Sequence, residues 1–328
     1  MDYIGAITAA AEPAKKLIEA VTGAIGKVYE PRYIRRISEA RAFQINTIGD
    51  AIRNNVDIPI AYNSTGECSI DTSDYEELVK RVSTRMAYQE ITKQENIEEI
   101  VNSAYESLQD VHEVVDGEVS REWMCRFIDA AGDISTEELR KIWSKVLAGE
   151  VLQPSSFSLR TLECLRNLDV LDAKIFERLC NFVVSNRFVV NDIDFLRSHG
   201  MSYDDILHLD ESGLLNSSGM ISFKKEIDTE PKILIDFGDY ILMAKSNERS
   251  TVSLQIFPLT EAGRELSSIV NCQMDLNLIK EICRIIEKKN SMIILSLHHV
   301  TSKENDGINV EDKPIAFAED DKTASEIS

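Results

Sequence analysis

Two stretches decide how this chain folds: DIDFLRSHGMSYDDILHLDESGLL, Asp192 to Leu215, and LTEAGREL, Leu259 to Leu266. In the first, a helix runs from Asp192 to His199. Gly200 then supplies a turn, and a second helix runs from Tyr203 to Leu215. Between the two stretches, apolar and polar residues alternate over Met220–Ile227, Ile233–Phe237, Tyr240–Ala244 and Val252–Phe257. A period of two over such short spans predicts antiparallel strands, and Gly238-Asp239 predicts a tight turn between two of them. Thr260 caps a further helix through Leu266 to Val270.

The order helix, turn, helix, hairpin, closed by Leu259-Thr260-x-x-Gly263-Arg264, resembles a winged-helix domain. That resemblance implies DNA binding through the second helix of the motif. The residues argue otherwise. The helix carries Asp204, Asp205, Asp210 and Glu211, with no Lys or Arg between Tyr203 and Leu215. A helix seated in the major groove comes close to phosphates, which four carboxylates would repel. The wing offers Lys224 and Lys225, but Glu226, Asp228 and Glu230 follow at once. The expectation is a protein-interaction or structural module.

Outward toward the N-terminus, Ser135-Thr136-Glu137-Glu138 has the spacing of a capping box, with Ser135 as cap. Its helix carries Leu139, Ile142, Trp143, Val146 and Leu147 and stops near Gly149. Trp123 and Phe127 lie on a preceding helix, and both tryptophans read as core. A long helix capped by Asp71 or Ser73 opens its apolar face with Tyr75, Leu78, Val79 and Val82 and continues to Leu108. Asn54 to Ser69 reads as a loop. After the break at Pro154-Ser155-Ser156 come helices from Ser158 to Leu168 and from Asp169 or Asp172 to about Ser185. Beyond the closing motif, Leu276–Lys289 reads as helix and Met292–Val300 as strand. The expected fold is mainly α: an N-terminal helical region plus a winged-helix-like α+β C-terminal domain with a small antiparallel sheet. The divisions expected are 1–55, 70–152 and 153–300, with a disordered acidic tail over 301–328.

At the front, Leu17, Val21, Ala24 and Val28 recur at helical spacing, with Ile18 and Ile25 widening the stripe. Gly23 and Gly26 lie on the same segment, and the basic cluster Lys27, Arg32, Arg35, Arg36 and Arg41 follows it. Three readings stay open. The helix belongs to an ordinary core, it lets copies of the chain associate, or it rests on an anionic membrane surface. Leu17, Val21, Ile25, Val28, Arg32, Arg35 and Arg36 are therefore the candidate interaction residues.

The 328 residues carry 56 acids against 36 bases, a net charge of -20, which disfavours nucleic acid as a general partner. No apolar run approaches the ~20 residues of a membrane-spanning helix, and Met1-Asp2-Tyr3 does not begin a signal peptide. Six cysteines, scattered without a CxxC, read as reduced thiols of a cytoplasmic protein. Catalysis finds no motif: there is no Gly-Lys-Ser/Thr loop and no Gly-x-Ser-x-Gly elbow. His199 and His208 fall on different helices, while His298 and His299 are strand neighbours pointing to opposite faces. No cofactor or metal is expected.

The run Ile142-Trp143-Ser144-Lys145-Val146-Leu147-Ala148-Gly149-Glu150, then Pro154 to Leu162, resembles bacterial proteins grouped as domain of unknown function 2806 (DUF2806). The stretch Val28-Tyr29-Glu30-Pro31-Arg32-x-Ile34-Arg35-Arg36 does so too. The chain is similar, more distantly, to the abortive infection alpha proteins, which share the helical region and the Leu-Thr-x-x-Gly-Arg ending. The resemblance spans roughly residues 15 to 270. It implies a bacterial origin and a role in anti-phage defence, and brings no catalytic residues. The expected function is a non-enzymatic interaction or regulatory component with protein partners, self-associating through its N-terminal helices. The alternatives are a membrane-acting effector, peripheral to the inner membrane through its N-terminal amphipathic helix, and a winged-helix DNA binder.

Overall fold

The computed structural model describes residues 12–25, 61–62, 68–69, 73–112, 115–217, 221–270, 272, 274–304 and 307–317. The chain is mainly α, with antiparallel strands gathered in its C-terminal part. It divides into two compact units, Met1–Leu162 and Glu163–Ser328.

In the first unit, α1 (Glu12–Ile25) packs on α2 (Ser73–Leu108), α3 (Arg121–Ala131) and α4 (Glu137–Leu152), and α2 packs on α3 and α4. The expected separate division over 1–55 therefore gives way, for α1, to one shared helical core. The short strands β1 (Ala61–Tyr62) and β2 (Cys68–Ser69) pair antiparallel within the stretch expected to be loop. Ile97, Ile100, Val101, Ala104 and Leu108 follow a helical period and are buried. Trp123 stacks on Phe127, and Phe127 meets Trp143 at a tilt of 58°, each pair with centroids 5.1 Å apart, and both tryptophans are core. Buried Asn96 ties two elements together by donating to the Gly132 carbonyl at 2.8 Å and accepting from Arg140 at 3.0 Å. The start of α2 departs from expectation: Leu78, Val82 and Met86, four residues apart, are exposed. Helix α4 opens at Thr136, whose side chain makes no capping bond, instead of at Ser135.

The stretch that carries the family resemblance is a structural knot. Glu150, in the last turn of α4, is 1% exposed. Its carboxylate accepts the Ser155 N–H at 2.7 Å and the Phe157 N–H at 3.0 Å. The Trp123 indole N–H donates to the Phe157 carbonyl at 2.7 Å. A buried charge is tolerated where main-chain donors surround it. Here it folds the Pro154–Phe157 turn back onto the helix end, and Phe157 goes into the core.

The division between the units falls inside α5 (Leu159–Asn167). The second unit continues with α6 (Val170–Cys180), which is opened by a reciprocal capping box between Asp169 and Asp172. The helix expected to reach Ser185 ends at Cys180. Val183–Val184 (β3) and Phe188–Val190 (β4) form a hairpin there, because Ser185 (φ 52) and Asn186 (φ 53) take left-handed conformations in a turn closed by the Arg187 N–H to the Val184 carbonyl at 3.0 Å. Helices α7 (Ile193–Ser198) and α8 (Tyr203–Glu211) follow, capped by the Asp192 and Ser202 side chains. The remaining elements are β5 (Ser222–Ile227), β6 (Lys232–Asp236), β7 (Tyr240–Lys245), β8 (Ser250–Pro258), α9 (Glu261–Ser267), α10 (Leu276–Lys289), β9 (Ile294–Glu304) and β10 (Gly307–Val310).

Two four-stranded antiparallel sheets result, in the orders β3-β4-β8-β5 and β10-β9-β7-β6. Val189 faces Phe257 and Phe223 faces Leu254 in the first, while Leu242 faces Leu297 in the second. The tail expected to be disordered from Thr301 is corrected as far as residue 317. Residues 301–304 extend β9, 307–310 form β10, Ile315 bridges to Leu297, and Phe317 is buried. Residues 318–328 lie outside the described residues.

The closing motif has a packing reason. The Thr260 hydroxyl accepts the Gly263 N–H at 3.0 Å and donates to the Gly213 carbonyl at 2.7 Å, while the Thr260 N–H bonds the Leu214 carbonyl at 3.1 Å. A Cβ on Gly263 would lie 1.9 Å from that Leu214 oxygen. Only glycine lets α9 dock this closely on the backbone that follows α8.

Candidate functional site

The surface with most to offer is the outer face of α8. Ile206 and Leu209 point inward and are fully buried, which leaves Tyr203 (45% exposed) and Leu207 (38% exposed) on the outside with Asp204 and Glu211. Two of the four carboxylates have structural partners. Asp205 accepts the Ser202 N–H at 2.8 Å and meets Arg178 at 3.3 Å, and Asp210 accepts from the Ser217 hydroxyl at 2.5 Å. His208 Nε2 lies 2.9 Å from the Asp172 carboxylate, a group whose other oxygen takes the Asp169 N–H at 2.7 Å. The face is thus apolar at its middle and acidic around it.

The segment from β5 to the start of β8 is no more cationic. Lys232 pairs with Asp228 at 2.6 Å, Arg249 pairs with Glu226, and the Lys225 ammonium donates to the Ile233 carbonyl. The side-chain bond from Arg249 holds the Glu226 carboxyl below its ordinary range, and the bond from Lys232 does the same for Asp228. Lys224 remains exposed.

Of the candidate residues at the front, Leu17 and Val21 are 0% exposed, inside the first unit. Lys16 anchors the same helix by donating to the Val115 and Gly117 carbonyls at 3.3 Å each. Ile25 ends α1, and its side chain lies outside what is described, as do Val28, Arg32, Arg35 and Arg36. Of the seven, the described residues thus place the side chains of Leu17 and Val21 alone, and place both in the core.

Among the described residues, no group of three or more His, Cys, Asp or Glu side chains is placed to hold a metal ion. The histidines are dispersed: His199 lies 3.5 Å from Glu281, His298 Nδ1 contacts the Glu311 carbonyl at 2.9 Å, and His299 lies 3.4 Å from the Glu311 carboxylate. No helix among the described residues is long and apolar enough to cross a membrane. A cavity of about 460 Å³ in the second unit is lined in part by Cys180, Asp236, Tyr240, Cys272, Met274 and Lys303. Sequence reading kept those two cysteines apart, since neither spacing nor a motif relates them.

The sequence model of the family described as "Protein of unknown function (DUF2806)" matches residues 80–193 and 190–283. The chain belongs to the DUF2806 family. The DUF2806 match contains Glu150 and the turn it holds, α8, the strands β5 to β8 and the Thr260–Gly263 docking, whereas Leu17 and Val21 lie before it. No curated protein and no solved structure matches the chain.

Proposed function

We propose that this DUF2806 protein is a non-enzymatic interaction component and that a protein partner docks on the outer face of α8. The observation that carries the reading is the pairing on one helix of exposed Tyr203 and Leu207 with exposed Asp204 and Glu211, and no Lys or Arg. Exposed aromatic and aliphatic side chains ringed by one sign of charge suit a partner with an apolar centre and a basic rim. The order α6, β4, α7, α8, β5, β8, with β8 between β4 and β5 in the sheet, supports a winged-helix reading of this part of the chain, with β6–β7 as the wing. The setting proposed is bacterial anti-phage defence in the cytoplasm, on the resemblance to abortive infection alpha proteins.

The test is affinity purification from infected and uninfected bacteria with the wild type, the double variant Tyr203→Asp/Leu207→Asp, and Arg249→Ala as a surface control. A partner kept by Arg249→Ala and lost by the double variant supports the reading. Identical capture by all three overturns it, as does nanomolar, salt-sensitive binding of duplex DNA that depends on Tyr203 and Leu207.

A second reading, self-association, has its own observation in the exposed Leu78, Val82 and Met86 stripe of α2. Because Leu17 and Val21 are core, this stripe is the better candidate for contact between copies. Light scattering of the wild type against Val82→Glu/Met86→Glu tests it: two monomers of equal mass reject the idea. The membrane-acting alternative requires α1 to leave the core, and flotation with anionic liposomes tests that.

A further inference from the structure

We infer that Cys180 and Cys272 form a reversible disulfide, a modification site built into the second unit. Cys180 is the last residue of α6 and is buried. Cys272 lies in the connection between α9 and α10 and is half-buried. The fold brings them together from far apart in the sequence. The Cys272 thiol lies 3.7 Å from the Glu177 carbonyl, in the last turn of the helix that Cys180 ends, and is near enough to the Cys180 thiol to raise its pKa. Both are reduced in this structure, and both line the cavity of about 460 Å³.

A thiol held against the last turn of the helix that Cys180 ends has only a short way to move to reach the ~2 Å of an S–S bond. Cys272 is outside any helix or strand, so no helical or sheet bond has to break for its side chain to turn toward Cys180. The cavity gives a small oxidant a path to a pair that packing would otherwise seal. Cys180 is the more buried of the two, and burial pushes its thiol well above the ordinary range. Cys272 is therefore the first attacker and Cys180 the resolving thiol.

With hydrogen peroxide as oxidant, the Cys272 thiolate attacks one peroxide oxygen. The O–O bond breaks, and the hydroxide released takes up the thiol proton as water. Cys180 then attacks the sulfenic sulfur, the S–S bond forms, and the sulfenic oxygen leaves as a second water with the Cys180 proton. Two thiols are oxidised by two electrons and one peroxide is reduced to two waters. An excess of small-molecule thiol reverses the bond by exchange. The product ties the end of α6 to the α9–α10 connection beside the cavity.

The experiment treats the folded, full-length chain with hydrogen peroxide, blocks remaining thiols with N-ethylmaleimide, and maps tryptic peptides without reduction. The expected species joins Leu179–Arg187 to Glu265–Lys280, two hydrogens lighter than the sum of the peptides. Dithiothreitol abolishes it, and so does Cys272→Ser. Cys180→Ser should abolish it as well, and if that variant does not fold, the Cys272 variant and the wild-type map decide. Exposed Cys125 serves as the internal control for the oxidant. Oxidation of Cys125 with both other peptides recovered as maleimide adducts overturns the inference. So does a Cys180 or Cys272 cross-linked no more to each other than to the remaining cysteines.

Discussion

Replacing Glu150 should separate a structural carboxylate from a merely acidic surface residue. Glu150→Ala removes an ionised acceptor from the buried Phe157 N–H (3.0 Å) and from the more accessible Ser155 N–H (2.7 Å). A hydrogen bond to a charged group contributes about 1.5–3 kcal/mol, and a group that water can reach recovers part of it. The expected loss is therefore about 2–4 kcal/mol, a large share of the ~5–15 kcal/mol by which domains are stable. Glu150→Gln keeps one acceptor but turns its amide NH₂ toward one of the two donors, so it should fall between wild type and alanine. Both tryptophans of the chain, Trp123 and Trp143, lie in the first unit, so their fluorescence during urea unfolding reports on that unit. With a slope of about 2 kcal/mol/M, the Glu150→Ala midpoint should drop by about 1–2 M. A shift below about 0.25 M, or a Gln variant that matches wild type, would refute the assignment.

Other outcomes follow from the same geometry. Gly263→Ala should cost at least about 2 kcal/mol in the second unit, read by circular dichroism, because its Cβ meets the Leu214 backbone oxygen at 1.9 Å, which no rotamer change relieves. Tyr203→Ala and Leu207→Ala should each leave unfolding midpoints within about 0.5 kcal/mol of wild type, as expected of exposed positions; a larger loss would mean they serve the fold. Asp169 is held below the ordinary carboxylate range, first by the Asp172 N–H it caps. Its folded pKa is depressed, so its stabilisation is present above the unfolded value near ~3.9 and fades as pH falls through the folded one. Asp169→Asn keeps a capping oxygen and should flatten that acid limb in thermal melts below about pH 4.

Much of the second unit was legible because its signals are local. Thr260 caps the helix it was expected to cap, the helix expected from Asp192 forms with Asp192 as its cap, Gly238 turns the β6–β7 hairpin, and the four alternating segments became β5 to β8. What escaped depends on contacts between distant residues. Leu78, Val82 and Met86 recur at helical spacing as Ile97, Ile100 and Val101 do, yet the former are exposed and the latter buried. The segment Thr301 to Glu304 lacks apolar alternation, and its place in β9 comes from main-chain pairing with β10. Val183 and Val184 read as the end of a helix because nothing local distinguishes them except β-branching and the Ser185-Asn186 turn. The acidic character of α8 was plain in the sequence, but which carboxylates were already engaged was not. The nearness of Cys180 to Cys272 had no signal in spacing at all.

The pairing of β7 with β9 bears on how any shortened form of the protein should be judged. Along Tyr240–Lys245, β7 bonds β6 on one side and Ile294–His299 on the other. A fragment cut before Ile294 would strip that second side and uncover Leu242, leaving a row of main-chain donors and acceptors open to the same row of another molecule. Aggregates or dimers of such a fragment would report an orphaned strand edge, and would be mistaken for natural assembly unless the full-length chain were weighed alongside.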